Sequence, residues 1–163
     1  MPAFTPTVAL WFCNHHGVAS SSELARLGMS QNERKGLVHL GVLQVVHRGV
    51  YHLTSSPVTF ESRCRAACAN GDEFVICDLA GARLWTLRGL RPSDDVVVAS
   101  PHASNPFARG VRVRRTNALP PGDVVVRADG IRLTTPPRTV FDLARNQPDQ
   151  IIEALIEQLL DHH

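Results

Sequence analysis

Apolar residues recur along this chain in short runs, each closed by a glycine or a turn, and their spacing shifts between helical and extended periods. Val8, Leu10, Trp11 and Phe12 follow Pro6 and are ended by Gly17, which predicts a first helix over residues 7–16. Ser20 to Ser22 offer capping oxygens to a short helix, Glu23 to Leu27, in which Leu24 and Leu27 share one face before Gly28 breaks it. Ser30 and Glu33 form an S-x-x-E capping box that opens a third helix, Gln31 to Leu40, stopped by Gly41. Leu37, Val38 and Leu40 are expected to face its core. Val42 to His47 and Val50 to Leu53 are β-branched runs joined at Arg48-Gly49, a hairpin with a basic tip. Helix, turn, helix and hairpin in this order is the layout of a winged helix-turn-helix.

Thr54 to Pro57 reads as a linker, so the expected domains are 1–56 and 57–163, the second a small mixed α/β unit in a chain that is α+β as a whole. In that unit, residues 60–70 predict a helix ended at Asn70-Gly71, and Asp78 is placed to cap another running through Leu84 and Trp85. Val96 to Ala99, Val111 to Arg114, Val124 to Val126 and Ile131 to Thr134 predict strands between proline and glycine turns. Arg112 and Arg114 alternate with Val111 and Val113, which predicts a strand with one basic face. Pro136-Pro137 starts a helix. The last, Ile151 to Leu160, carries so many apolar residues at helical spacing that it needs a partner, either the core of its own unit or a second copy of the chain.

Composition narrows the class. Hydrophobic residues make up 44% and charged residues 20% of 163 positions, an ordinary globular balance. No apolar run approaches the ~20 residues of a membrane span, and the N-terminus lacks a basic start and apolar core of a secretory signal, so a cytoplasmic setting is expected. The four cysteines, Cys13, Cys64, Cys68 and Cys77, include no C-x-x-C pair, and the adjacent pairs His15-His16 and His162-His163 point apart; neither a metal nor a cofactor is expected.

The net charge of +2 is carried by residues 1–56, where Arg26, Arg34, Lys35 and Arg48 meet only Glu23 and Glu33. Five histidines there, His15, His16, His39, His47 and His52, stand ready to add charge near a phosphate backbone. Enzymatic chemistry finds no foothold: G-x-S-x-G, P-loop, H-E-x-x-H and dinucleotide patterns are absent. The residues expected to meet double-stranded DNA are Ser30, Gln31, Asn32, Lys35 and His39 on the third helix, with His47 and Arg48 at the hairpin. Asparagine and glutamine read adenine edges, and lysine or arginine reads guanine or holds phosphate. Arg34 belongs to the same set but sits at its edge. Depending on rotation, its guanidinium meets DNA or its stem packs at the core boundary.

Several stretches together resemble one family. Gly17-Val18, Gly28 to Ser30, Gly41 to Leu43 and above all Arg48-Gly-Val-Tyr51 are similar to the N-terminal domain of AbiEi-type antitoxins from type IV toxin-antitoxin systems. Asp78 to Leu87, Val111 to Thr116 and Asp129 to Ala144, with its TPPRTVFDLA run, resemble the later part of such proteins. The resemblance implies a winged-helix domain that binds operator DNA and represses its own operon, and a C-terminal domain that neutralises a nucleotidyltransferase-like toxin. Arg34 and the sparse basic residues of the third helix depart from the family pattern. Two other readings compete: an interaction module that neutralises a toxin without binding DNA, and the DNA-recognition portion of a longer restriction-endonuclease-like protein.

Overall fold

Thr5 opens the first helix by accepting the Val8 N–H on its hydroxyl at 3.3 Å, and Pro6 takes the first helical position, where a missing N–H costs nothing. This helix, α1, spans Pro6–Asn14. The computed structural model describes residues 4–69, 71–101 and 110–161, and these form an α+β chain divided into two compact units. The Asn70 stop and the His162-His163 pair lie outside the described residues.

In the first unit α1 is followed by β1 (Val18–Ser20), α2 (Ser21–Arg26), α3 (Gln31–His39), β2 (Leu43–His47), β3 (Val50–Leu53) and α4 (Phe60–Cys68). A three-stranded antiparallel sheet has the order β1-β3-β2, with Ser20 opposite Val50 and Leu43 opposite Leu53. Val8, Phe12, Leu24, Met29, Leu37 and Leu43 form the core between the helices and this sheet. Leu40, expected in that core, is instead 68% exposed, because it is the C-cap residue and the chain has already left the helical face that Leu37 buries.

The unit does not end at residue 56. It runs to Asp72 and takes in Ala128–Ile131. Helix α4 belongs to it because Ala66 packs with Val18 and Val50, and because the Arg65 guanidinium donates to the Glu23 carboxylate. Residues 128–131 belong to it through His16, whose Nε2 lies 2.9 Å from Asp129 Oδ2.

The second unit contains β4 (Val75–Ile76), α5 (Asp78–Leu84), β5 (Val96–Ser100), β6 (Val111–Arg115), β7 (Val124–Val126), β8 (Arg132–Thr134), α6 (Pro136–Leu143) and α7 (Asp149–Asp161). Its five-stranded sheet has the order β6-β5-β4-β8-β7. Two pairings are parallel, β5 with β6 and β4 with β8, and two are antiparallel. Every residue of β5 is buried, as expected of a strand covered on both faces. Cys77, not Asp78, holds the N-cap position of α5; Asp78 is the first helical residue, at φ +58, and its Oδ1 accepts the Leu79 N–H at 3.0 Å. The longest helix, α7, closes the core through Leu155, which packs with Ala82, Val140 and Leu143. Among the described residues no helix is long and apolar enough to cross a membrane.

Candidate nucleic-acid interface

Capping boxes at the starts of α2 and α3 set the geometry of this part of the first unit. Ser20 Oγ accepts the Glu23 N–H at 3.2 Å while Glu23 Oε2 accepts the Ser20 N–H at 2.8 Å. The same exchange joins Ser30 and Glu33, at 3.3 and 2.7 Å. Between them the chain turns sharply: Gly28 adopts φ +86, and the Met29 N–H reaches back to the Leu24 carbonyl at 2.9 Å. Met29 is then buried at the joint, which fixes the angle between α2 and α3 by packing as well as by hydrogen bonds.

The outcome on α3 is a division into two faces. Arg34 and Leu37 are buried, while Gln31, Asn32, Lys35 and His39 are exposed and adjacent by helical spacing. Ser30 is exposed at the head of this face, although its hydroxyl is committed to the cap. Arg48 is exposed at the hairpin tip, beside Gly49 at φ +75. The tip is also tethered: the Gly49 carbonyl accepts the Ser21 N–H at 2.7 Å, which joins the hairpin to the first turn of α2. Arg26, counted in the sequence only as charge, is exposed in the last turn of α2 and adds a cation to this unit.

Two of the expected contact residues are corrected by their burial. Arg34 is 9% exposed, and its Nη1 donates to the Met29 carbonyl at 2.7 Å, so the guanidinium latches the turn between the helices. His47 is 8% exposed, and burial holds its imidazole below the usual histidine range, in the uncharged form. The signal for Arg34 was present in the sequence, since it falls one helical turn before Val38 and three residues before Leu37 on the apolar side.

The histidines as a group do not supply phosphate-facing charge. His52 is buried and, like His47, pushed down by desolvation, with a hydrogen bond to the Pro57 backbone acting the other way. The His15 ring stacks on Trp11 at 3.8 Å and its Nδ1 lies 2.8 Å from the Trp11 carbonyl, while His16 is paired with Asp129. His39 alone of the five is exposed.

Burial of His47 and His52 has a pH consequence of definite sign. Both are neutral when folded with pKa values lowered from 6.5, so the unfolded chain takes up protons first as the pH falls. Stability is full above about pH 6.5 and is lost as the pH drops from there toward the lower folded-state values. Urea midpoints at about pH 7.5 and pH 5.5 are expected to show a weaker first unit at the lower pH. Histidine proton shifts should remain those of the neutral ring for both residues below pH 6.5.

In the second unit the polar side chains pair among themselves. Asp142, 3% exposed, accepts from Arg114 Nη2 at 2.9 Å and from Arg138 Nε at 3.2 Å, and Arg138 Nη1 reaches Asp123 at 2.6 Å. Arg114 also lies 3.7 Å from Asp78. The basic strand face expected of β6 is therefore half realised: Arg112 is exposed, but Arg114 turns into this network. Cys77 beside it is buried, and burial pushes its thiol up to about 12, which favours the protonated form. Among the described residues no group of three or more metal-ligating side chains converges. No model of a known protein family matches the chain, and no curated protein is found to be similar to it.

Proposed function

We propose that the first unit is a winged helix-turn-helix that binds double-stranded DNA, with α3 entering the major groove and the hairpin beside the backbone. The observation that carries this reading is the outward face of α3: Gln31, Asn32, Lys35 and His39 lie side by side and exposed, on a helix locked at its start by a capping box. Gln31 and Asn32 have the amide pairs that match adenine, Lys35 suits guanine or phosphate, and Arg48 suits phosphate. Arg34 and His47 take no part in contact, and act by holding the turn and the hairpin. The second unit is assigned the partner-binding role of an antitoxin, on the resemblance of residues 129–144 described above, with a nucleotidyltransferase-like toxin as its target. The whole then acts as an autorepressing antitoxin in the cytoplasm.

The scarcity of exposed cations near α3 favours a second reading, in which the first unit is a scaffold and the protein only binds a toxin. Electrophoretic mobility at low salt with the DNA upstream of the gene separates the two. Lys35→Ala is expected to cost about 1–3 kcal/mol of binding, and adding Arg48→Ala to flatten the salt dependence by about one unit of slope. Unaltered affinity in the double variant would remove these residues from the interface. Absence of any shift at low salt, together with rescue of a co-expressed toxin, would leave the scaffold reading standing.

A further inference from the structure

Strand β6 is the outermost strand of the five-stranded sheet, and among the described residues its only strand neighbour is β5. One hydrogen bond fixes which way its backbone faces. The Thr116 N–H donates to the Ser100 carbonyl at 2.9 Å, and Ser100 stands opposite Arg115. In a parallel ladder this turns the N–H and C=O groups of Arg112 and Arg114 toward β5, and those of Val111, Val113 and Arg115 outward. The edge is therefore a row of paired donors and acceptors on alternate residues, a template for one more strand.

The side chains around this row decide what can use it. Val111 and Val113 lie half-buried on one face of the strand with Arg115 exposed beside them, while Arg112 and Arg114 lie on the other. Arg112 is 66% exposed, and its Nε is 3.9 Å from Asp95, the outer limit of an ion pair, with an acid that is itself 63% exposed. Arg115 has no ion pair among the described residues. Arg114 is already committed to Asp142 and Asp78. Two exposed guanidinium groups, one on each face, thus flank the outward backbone row. A second copy of the strand fits poorly, because each antiparallel register that joins two such edges through their outward groups sets Arg112 or Arg114 opposite its counterpart in the other copy.

We propose that the β6 edge is a docking site for an extended acidic segment of a partner protein, added to the sheet as a further strand. Backbone hydrogen bonds to Val111, Val113 and Arg115 supply the grip. Carboxylates opposite Arg112 and Arg115, and apolar side chains opposite Val111 and Val113, supply the choice. Like charge keeps the edge from pairing with itself, and unlike charge admits the segment. This docking uses the second unit alone, whatever the first unit binds.

For an antiparallel segment, the order from Arg115 back to Val111 asks for acid, any residue, apolar, acid, apolar. The probe is a blocked peptide of glutamate-threonine-valine-glutamate-valine, with its reversed sequence for a parallel approach. At about 1 mM of one of these peptides, amide exchange at Val111, Val113 and Arg115 of the full chain, followed by NMR, is expected to slow by about tenfold. The same peptides with lysine for glutamate should bind about tenfold more weakly or worse. Arg115→Glu, at an exposed position, should erase that preference. Val113→Pro removes a donor that faces solvent, which an edge strand tolerates, and should abolish the slowing at Val111 and Arg115. Circular dichroism on each variant confirms that it is folded. Unchanged exchange at about 1 mM of either peptide, an equal response to the lysine peptides in the parent chain, or binding that survives V113P overturns the proposal. So does slowing of the same amides in the peptide-free chain as its concentration rises, which would mark a second copy as the occupant.

Discussion

Asp142→Ala is expected to remove about 3 kcal/mol from the stability of the second unit, one of the largest losses available to any single change in it. The carboxylate is 3% exposed and faces the guanidinium groups of Arg114 and Arg138, themselves only 19% and 13% exposed, at 2.9 and 3.2 Å. Deleting it leaves two cations close together in a site that excludes most of the water needed to hydrate them. Taking one partner from a buried ionic cluster costs more than the cluster contributes intact, because the remaining charge is stranded. Asp78 and Asp123 continue to compensate one arginine each, which places the expected loss at the low end of the usual range. Urea unfolding with unchanged slope and a lower midpoint is the measurement. Asp142→Asn, which keeps one acceptor oxygen, should lose less; a loss below ~1 kcal/mol for the alanine variant would mean that the arginines are already well hydrated.

Gly17→Ala should destabilise the first unit by a comparable amount, about 3 kcal/mol. Two independent costs combine there. The residue holds φ +74 between α1 and β1, and a Cβ added to it would stand 2.5 Å from Ser56 Cβ and 2.7 Å from Ser56 Oγ. The conformational part amounts to about 1–2 kcal/mol, and the steric part supplies the rest. In a Ser56→Gly background the penalty is expected to fall back toward the conformational part, so a double-mutant cycle separates the two. Gly36 is the natural control: a Cβ there meets nothing within 4 Å, and Gly36→Ala in the middle of α3 should raise stability by about 0.5–1 kcal/mol. A G17A variant as stable as the parent would mean that the chain between α1 and β1 relaxes without cost.

These positions also indicate what the sequence made legible. Starts and stops of helices were readable because they are chemical and local. Ser30 caps with Glu33 as their spacing demands; of the three serines offered at 20–22 it is Ser20 that caps α2, with Glu23 closing the box; and Gly28 and Gly41 stop α2 and α3 at φ +86 and +72. The hairpin was readable for the same reason, as a two-residue Arg48-Gly49 connection between β-branched runs. Strands β1 and β4 were not. They span only Val18–Ser20 and Val75–Ile76, too short for any alternation, and every residue in them is buried.

Long-range partnership was the other loss. Nothing local tells that α4 joins the first unit through Ala66 and Arg65, or that residues 128–131 return to it at Asp129. The linker at Thr54 to Pro57 is a real change of local structure and yet not a boundary between compact units. At the candidate interface the exposed row of Gln31, Asn32, Lys35 and His39 followed from helical periodicity alone. Arg34 followed only in part, since its spacing to Leu37 and Val38 put it at the core boundary while its partner, a main-chain carbonyl, leaves no mark in the pattern; His47 did not follow, because a polar residue reads as outward until its burial is known.

The tether between the Gly49 carbonyl and the Ser21 N–H makes the first unit a calliper. Its one jaw, Arg48, is pinned to the start of α2, and its other, Lys35, is carried by α3, whose angle to α2 is clamped at Gly28, Met29 and Arg34. The backbone gap between the jaws is thus settled during folding, so for the proposed binding of a polyanion the entropy of setting it would not be charged against association. Under the DNA-binding function proposed above, such a span would discriminate by fit: a duplex whose groove and backbone match it would be gripped at two points, and one too wide or too narrow at one.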